Sequence, residues 1–356
     1  RYKEQQKEIT SELESNFKSI MRINYLSIPK ILKSTEHLFL IASTVKKIEE
    51  LHKEKPFDHI DVHWCYPDLP LGIEIAKRLG ITCTVTLRGM ETFYLDDNDG
   101  RSSIIAKSLS QVDGVISLSK EMLDKSMEMA PNINNYSLVY NGVDNKVFKF
   151  KDKSEARSEL SIKKDDLLIL GVGSLIKRKG FHHIIQSLPE IKSKHPEKLI
   201  RYVIAGSTSL EGDFSEIKEL AKDVMNKNPG VYVEFVGQKD NSELPTWYAA
   251  ADVFCLSSFG EGSPNVLSEA LSCGCPSASS DVGSASELMA RAGKNAGTLL
   301  SSQESEEFAS SNWAKAICKV IDSKTNREEL AGKMKKFTWR RCAKEAMKLI
   351  TEVVGK

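Results

Sequence analysis

The chain has 356 residues, 50 basic and 49 acidic, with 40% apolar and 28% charged side chains. Balanced charge offers no global field for nucleic acid and no apolar run reaches membrane-spanning length, so a globular protein of two domains in a cytoplasmic setting is expected. Seven cysteines, an odd number lying mostly in apolar runs, imply reduced buried thiols; the close pair Cys273 and Cys275 has no second pair or nearby histidine to make a metal site.

The chain opens at Arg1 inside a charged stretch, and a segment upstream is expected. Ile31, Leu32, Leu38, Ile41, Val45, Ile48 and Leu51 recur at helical spacing from Pro29 to about Lys53. Lys18, Arg22, Lys30 and Lys33 lie among apolar residues there. That pattern is open to two readings, a surface helix with a solvated face or an amphipathic patch in peripheral contact with the inner face of a membrane. Short strands at 59–64, 81–87, 114–118 and 137–140 then alternate with helices at 70–79, 101–112 and 120–129, which predicts a parallel sheet wrapped by helices. Ligands of such sheets sit beyond the carboxyl ends of strands, where Arg88-Gly-Met-Glu91 falls. The Arg88 guanidinium can bind a phosphate or a sugar hydroxyl, or pair with Glu91, but it cannot act as a base. Asn141-Gly142 is a turn signal, and Asp144 can cap the segment after it.

Residues 148–166 are charge-rich and poor in apolar side chains, which suits a crossing between domains. From Leu167 the pattern predicts a buried strand, a glycine turn at Gly171-Val-Gly173, a basic loop of Lys177, Arg178 and Lys179, and a helix from about Phe181. Ile176 stands where a dinucleotide fingerprint needs its third glycine; the three cations beyond a strand end can instead reach a pyrophosphate. Strands at 199–205 and 231–236 end at Gly206 and at Gly237-Gln238. Trp247 and Tyr248 read as core anchors of a short helix before the next strand.

That strand, Ala251 to Leu256, is followed by the loop Phe259-Gly-Glu-Gly-Ser. Ser263 suits an N-cap and Pro264 the first helical position, so a helix is expected from Pro264 to about Cys273. Its first-turn N–H groups make an anion site that Gly260 and Gly262 let a phosphate approach closely. Glu261 and Glu269 frame that site. A carboxylate repels a phosphate, so each is expected to accept hydrogen bonds from sugar hydroxyls on either side, and the implied ligand is a nucleotide sugar. A glycosidase could use the same pair, but a phosphate cradle has no purpose in hydrolysis. Glu287, on a short helix, is given no role beyond packing. Helices at 304–321 and 325–335 precede a tail with Trp339, Ala343, Ala346, Met347, Ile350, Val353 and Val354 on one face.

EGSPNVLSEA, with its glutamates at 261 and 269, resembles the E-x7-E element of the retaining family 4 glycosyltransferases (glycosyl transferases group 1). Gly142 to Phe148 in YNGVDNKVF and Lys179-Gly180 match two further signatures of that family, and RGME stands where it usually has a histidine motif. The resemblance covers roughly Asp58 to the C-terminus. It implies an α/β GT-B fold of two Rossmann-like doubly wound domains facing a cleft. Residues 1–150 would be the acceptor side, lacking its first strand or two, 151–335 would hold the nucleotide sugar, and 336–356 would be a helix crossing back.

By the same resemblance Glu269 binds the donor ribose, Glu261 lies near the transferred sugar, and the backbone of Gly262, Ser263, Pro264, Asn265 and Val266 holds the diphosphate. Lys179 neutralises the leaving group, and Arg178 or Arg88 supplies the charge of the family arginine that Ser174 replaces. Gly173, Ser174, Gly206 and Gln238 line the donor pocket, with Gln238 near the base. The implied reaction is retaining transfer from a UDP- or GDP-linked sugar to a saccharide or lipid-linked acceptor, with no metal or other cofactor. The alternatives are a non-catalytic relative that binds a nucleotide sugar or a partner enzyme, which Arg88 and Ser174 favour, and a nucleotide-sugar epimerase.

Overall fold

The computed structural model describes residues 20–27, 32–89, 100–207, 215–294, 296–301 and 306–355. Lys18, Pro29, Lys30, Ile31, Met90 and Glu91 fall outside them, and with Glu91 the alternative pairing of Arg88.

A 3-10 turn at Lys33–Thr35 leads into α1 (Glu36–Glu54), later than the expected start. Leu40, Thr44 and Val45 turn inward from α1, while Leu38 and Leu51, expected on the apolar face, are exposed. The alternation then continues as β1 (His59–His63), α2 (Asp68–Leu79), β2 (Thr82–Thr86), α3 (Arg101–Leu109), β3 (Gly114–Ser117), α4 (Lys120–Met129) and β4 (Tyr136–Leu138). The four strands are parallel in the order β1-β2-β3-β4. Leu69, Ile73, Val85, Ile105, Leu109, Val115 and Met122 interlock between this sheet and its helices. Each large aliphatic side chain so buried contributes about 1.5–3 kcal/mol.

The charge-rich stretch before the second sheet holds a helix that its composition hides, α5 (Lys153–Glu159), capped by Asp152 accepting from the N–H groups of Ser154 and Glu155. Arg157 on α5 is buried with each of its three nitrogens bonded: the carbonyls of Ala250, Lys163, Lys164 and Asp166 and the Asp252 carboxylate accept from it.

The second domain continues through β5 (Leu167–Val172), α6 (Phe181–Lys194), β6 (Ile200–Ala205), α7 (Ser215–Lys227), β7 (Val231–Gly237), α8 (Leu244–Ala250) and β8 (Val253–Leu256). After these come α9 (Asn265–Ser272), β9 (Ser277–Ser280), α10 (Ala285–Ala292), β10 (Gly297–Leu300), α11 (Glu306–Asp322) and α12 (Arg327–Met334). The sheet is parallel throughout, in the order β10-β9-β8-β5-β6-β7. Both its faces carry a buried cluster, and its central strands read as continuous apolar runs for that reason. β5 pairs with β6 on one side and β8 on the other, so the winding reverses between β5 and β8. A crevice opens at the carboxyl ends of strands where that reversal occurs, and the two loops with the site signals emerge there.

Finally α13 (Trp339–Val354) returns to the first sheet, where Leu349 and Val353 pack with Ile116 and Val139. Trp339, Met347 and Val354, expected on the buried face, are exposed instead. The stripe that docks is Cys342, Ala346, Leu349, Ile350 and Val353, which keeps the 3.6-residue period, and Met347 and Val354 lie one step round from it. The approach to α13 explains Gly142: a Cβ there would sit 2.2 Å from the Trp339 nitrogen, while the Val143 N–H donates to the Phe337 carbonyl at 3.0 Å. All seven cysteines are free thiols, and burial pushes Cys83 up to about 12 and Cys275 up to about 11. Such thiols are poor nucleophiles.

Candidate active site

The loop after β5 and the loop after β8 are stitched together. The Ser257 hydroxyl donates to the Lys179 carbonyl at 2.9 Å, the Phe259 N–H donates to the Arg178 carbonyl at 2.9 Å, and the Arg178 guanidinium donates to the Gly260 carbonyl at 2.6 Å. Gly180, at φ 64°, makes the fit possible, since a Cβ there would lie 1.9 Å from the Ser257 carbonyl oxygen. A 3-10 turn over Lys177–Lys179 then aims the basic side chains across the gap. Lys179 Nζ stands 2.5 Å from Glu261 Oε1, and Arg178 is 3.9 Å from the same oxygen. The side chains of Lys179 and Glu261 are only 16% and 15% exposed, so this pair escapes most of the screening that makes surface pairs weak. Lys179, Arg178 and Glu261 therefore form one cluster.

Gly206, at the end of β6, lies directly against this loop: a Cβ on it would meet the Gly173 carbonyl oxygen at 1.8 Å. Ser174 and Gln238 are exposed beyond β5 and β7, on the same rim.

The helix after the loop starts one residue later than the sequence suggests. Pro264 is the flanking residue, at φ −72° and ψ 95°, and has no side-chain cap; Ser263 lies one residue before it, its hydroxyl accepting from Ser284 at 3.0 Å. The first-turn amides of α9, Asn265 and Val266, have no carbonyl of the helix to bond and face the loop. Glu269, one turn into α9, has its Oε2 held by the Tyr248 hydroxyl at 3.0 Å. Burial raises the Glu269 carboxyl above the ordinary glutamate range, and the Tyr248 hydrogen bond pulls the other way with less effect.

The first domain closes on this site by backbone approach. Cβ atoms on Gly89 and on Gly262 would fall 2.9 Å from the Gly262 Cα and 2.8 Å from the Arg88 carbonyl oxygen. The Arg88 side chain turns elsewhere, with Nε 2.9 Å and Nη2 2.5 Å from His63 Nδ1. His63 Nε2 lies 3.1 Å from Asp61 Oδ2, which fixes Nδ1 as the acceptor. Arg88 is thus brought to the cleft by its main chain, while its charge lies against β1.

Glu287, assigned only packing from the sequence, bridges the domains. Its Oε1 accepts from the Lys120 N–H at 3.1 Å, while Oε2 of Glu121 accepts from the Gly283 N–H at 2.9 Å. The starts of α4 and α10 face each other and exchange glutamates. Asn141 of the NGVD segment also reaches across, donating to Asn265 Oδ1 at 2.9 Å. Sequence reasoning missed the partnerships of Tyr248, His63, Glu121 and Glu287. Only Tyr248 carried a signal, since a phenol placed in a core needs an acceptor for its hydroxyl.

Comparison with known proteins identifies the family and the fold. The chain is 24% identical over 246 residues to N-acetyl-alpha-D-glucosaminyl L-malate synthase of Bacillus anthracis, covering 68% of this chain and 61% of that one. It is 27% identical over 337 residues to D-inositol 3-phosphate glycosyltransferase of Paenarthrobacter aurescens, covering 87% and 76%. Among solved structures, Anabaena HepE in complex with UDP and glucose superposes with a TM-score of 0.73 at 18% identity, over 96% of this chain and 88% of that one. The two parallel sheets are thus those of the GT-B fold. The pattern described as glycosyl transferases group 1 matches residues 152–337, from the start of α5 through both stitched loops to the turn before α13, and the chain belongs to that family.

Proposed function

We propose that the chain is a retaining glycosyltransferase that moves a sugar from a UDP- or GDP-linked donor to a hydroxyl of a saccharide or lipid-linked acceptor without a metal. The observation that carries this reading is the cluster of Lys179, Arg178 and Glu261 beside the start of α9. Cations and helix amides converge where a diphosphate would depart, and a carboxylate stands within reach of the attached sugar.

In the reaction the bond from the anomeric carbon to the diphosphate oxygen breaks, its electron pair stays on the nucleoside diphosphate, and the acceptor oxygen bonds to the carbon from the same face. The acceptor proton passes to the departing phosphate. Charge builds on the diphosphate, so Lys179, Arg178 and the α9 amides stabilise the transition state more than the ground state. Relatives named N-acetyl-alpha-D-glucosaminyl L-malate synthase and D-inositol 3-phosphate glycosyltransferase, and a structural neighbour solved with UDP and glucose, support a nucleotide-sugar donor.

Thermal melting against UDP, GDP, their sugar conjugates and NAD tests this reading. A donor at 100 times its Kd is expected to add about 2.7 kcal/mol of stability, seen as a raised Tm, and NAD is expected to add none. A flat response to every nucleoside diphosphate ends the proposal. The non-catalytic alternative rests on Arg88 being tied to His63 and on Ser174 lacking a charge. Slow hydrolysis of the bound donor by the purified chain would exclude it.

A further inference from the structure

Tyr248 is fully buried on α8, its ring between Phe254, 5.5 Å away at 78°, and Phe148, 6.3 Å away at 62°. Its hydroxyl reaches out of that aromatic wall to Glu269 Oε2 at 3.0 Å. Phe148 closes the NGVD-x-x-x-F segment at the end of the first domain, so a chain of contacts runs from that segment through Tyr248 to the carboxylate on α9. A glutamate side chain rotates about three bonds, and one fixed donor on one oxygen removes most of that freedom. The phenol suits the task. Burial holds its own ionisation well above the ordinary tyrosine range, so it remains a donor at every working pH.

We propose that Tyr248 is a positioning residue for nucleotide recognition: by holding Oε2 of Glu269 it presents Oε1 to the ribose hydroxyls of the donor. This rests on the reading of Glu269 as the ribose-binding group. The geometry favours a directional role over simple packing, because phenylalanine would fill the same aromatic slot and only the hydroxyl makes the contact. The hydroxyl also helps to keep Glu269 an acceptor, since its hydrogen bond opposes the upward pull of burial on that carboxyl.

The test is calorimetric titration of the full chain with whichever of UDP and GDP binds more tightly and with its 2′,3′-dideoxy counterpart. The ratio of the two affinities reports ribose recognition alone, and general loosening of the fold does not imitate a change in it. For the unaltered chain the ratio is expected to be roughly tenfold or more, as for hydrogen bonds to a charged group. In Tyr248→Phe it is expected to fall to about threefold or less. A wild-type ratio near one would end the ribose reading and this proposal together. A wild-type ratio of tenfold that persists in Tyr248→Phe would end this proposal and leave the ribose reading intact. If Tyr248→Phe does not fold, the ratio is read on Phe148→Leu, which keeps the hydroxyl and loosens the ring; a reduced ratio is expected, and an unchanged one overturns the proposal.

Discussion

Lys179→Ala is expected to lower turnover on the order of a hundredfold or more, the usual effect of removing one preorganised group from a developing negative charge. The ammonium lies where two loops converge, paired with Glu261 at 2.5 Å and largely shielded from water. A charge in that setting is already desolvated and already aimed, so little reorganisation is left for the reaction itself. In the proposed reaction the charge it opposes grows as the diphosphate departs, so kcat should fall far more than KM rises. The fold should survive, since the Lys179 main chain keeps its bond from Ser257 and Glu261 retains Arg178 at 3.9 Å. Single-turnover transfer with a matched circular dichroism spectrum checks both halves. Turnover within tenfold of the parent would show that the leaving group is stabilised elsewhere.

The largest stability effect is expected at Asp252, which no catalytic signature includes. Its carboxylate receives the Lys153 ammonium, Arg157 Nη2 at 2.6 Å and the Leu168 N–H at 2.7 Å. The Leu168 bond ties the start of β5 to the turn before β8, at the amino ends of the two strands and opposite the site loops. In Asp252→Ala the Arg157 guanidinium, 5% exposed, is left without its counter-ion, and breaking one side of a buried pair costs about 3–5 kcal/mol. For a domain of this size that is a Tm lower by roughly 10 °C.

The effect should depend on pH in a definite sense. Burial alone would raise the Asp252 carboxyl, but Lys153 and Arg157 outweigh it and hold the group below its ordinary range. A folded value below the unfolded one means that the stabilisation is complete above about pH 4 and is lost as pH falls through the folded value. The gap in Tm between parent and variant should therefore be constant near neutrality and close in acid. A gap that widens in acid, or one within 2 °C at about pH 7, would contradict the assignment.

The parallel strands and the two loops at their ends were legible in the sequence because both are local signals. A run such as Leu167 to Leu170, ended by glycines, reads as a covered strand, and glycines beside cations at its end read as a loop. What escaped was partner choice between distant segments. Ser263 has the residue type of a cap, yet the helix starts at Asn265 with Pro264 flanking it, and the Ser263 hydroxyl meets Ser284 instead. Residues 148–166 look solvated by composition, because nothing local announces that Arg157 finds four carbonyls and a carboxylate around it. His63 ends β1 and Arg88 lies two residues beyond β2, 25 residues away in sequence, and only the pairing of β1 with β2 brings them together. The tail erred differently, since Met347 and Val354 are as apolar as the residues that dock and differ from them only by rotation about the helix axis.

The traded glutamates between α4 and α10 make the two halves of the molecule sensitive to salt. Each carboxylate at a foreign helix start is worth about 0.3–1 kcal/mol at low ionic strength, and dissolved ions weaken both at once. Parting of the halves breaks both bonds together. A molecule fastened in this way is expected to hold its two halves together less firmly in concentrated salt than in dilute buffer.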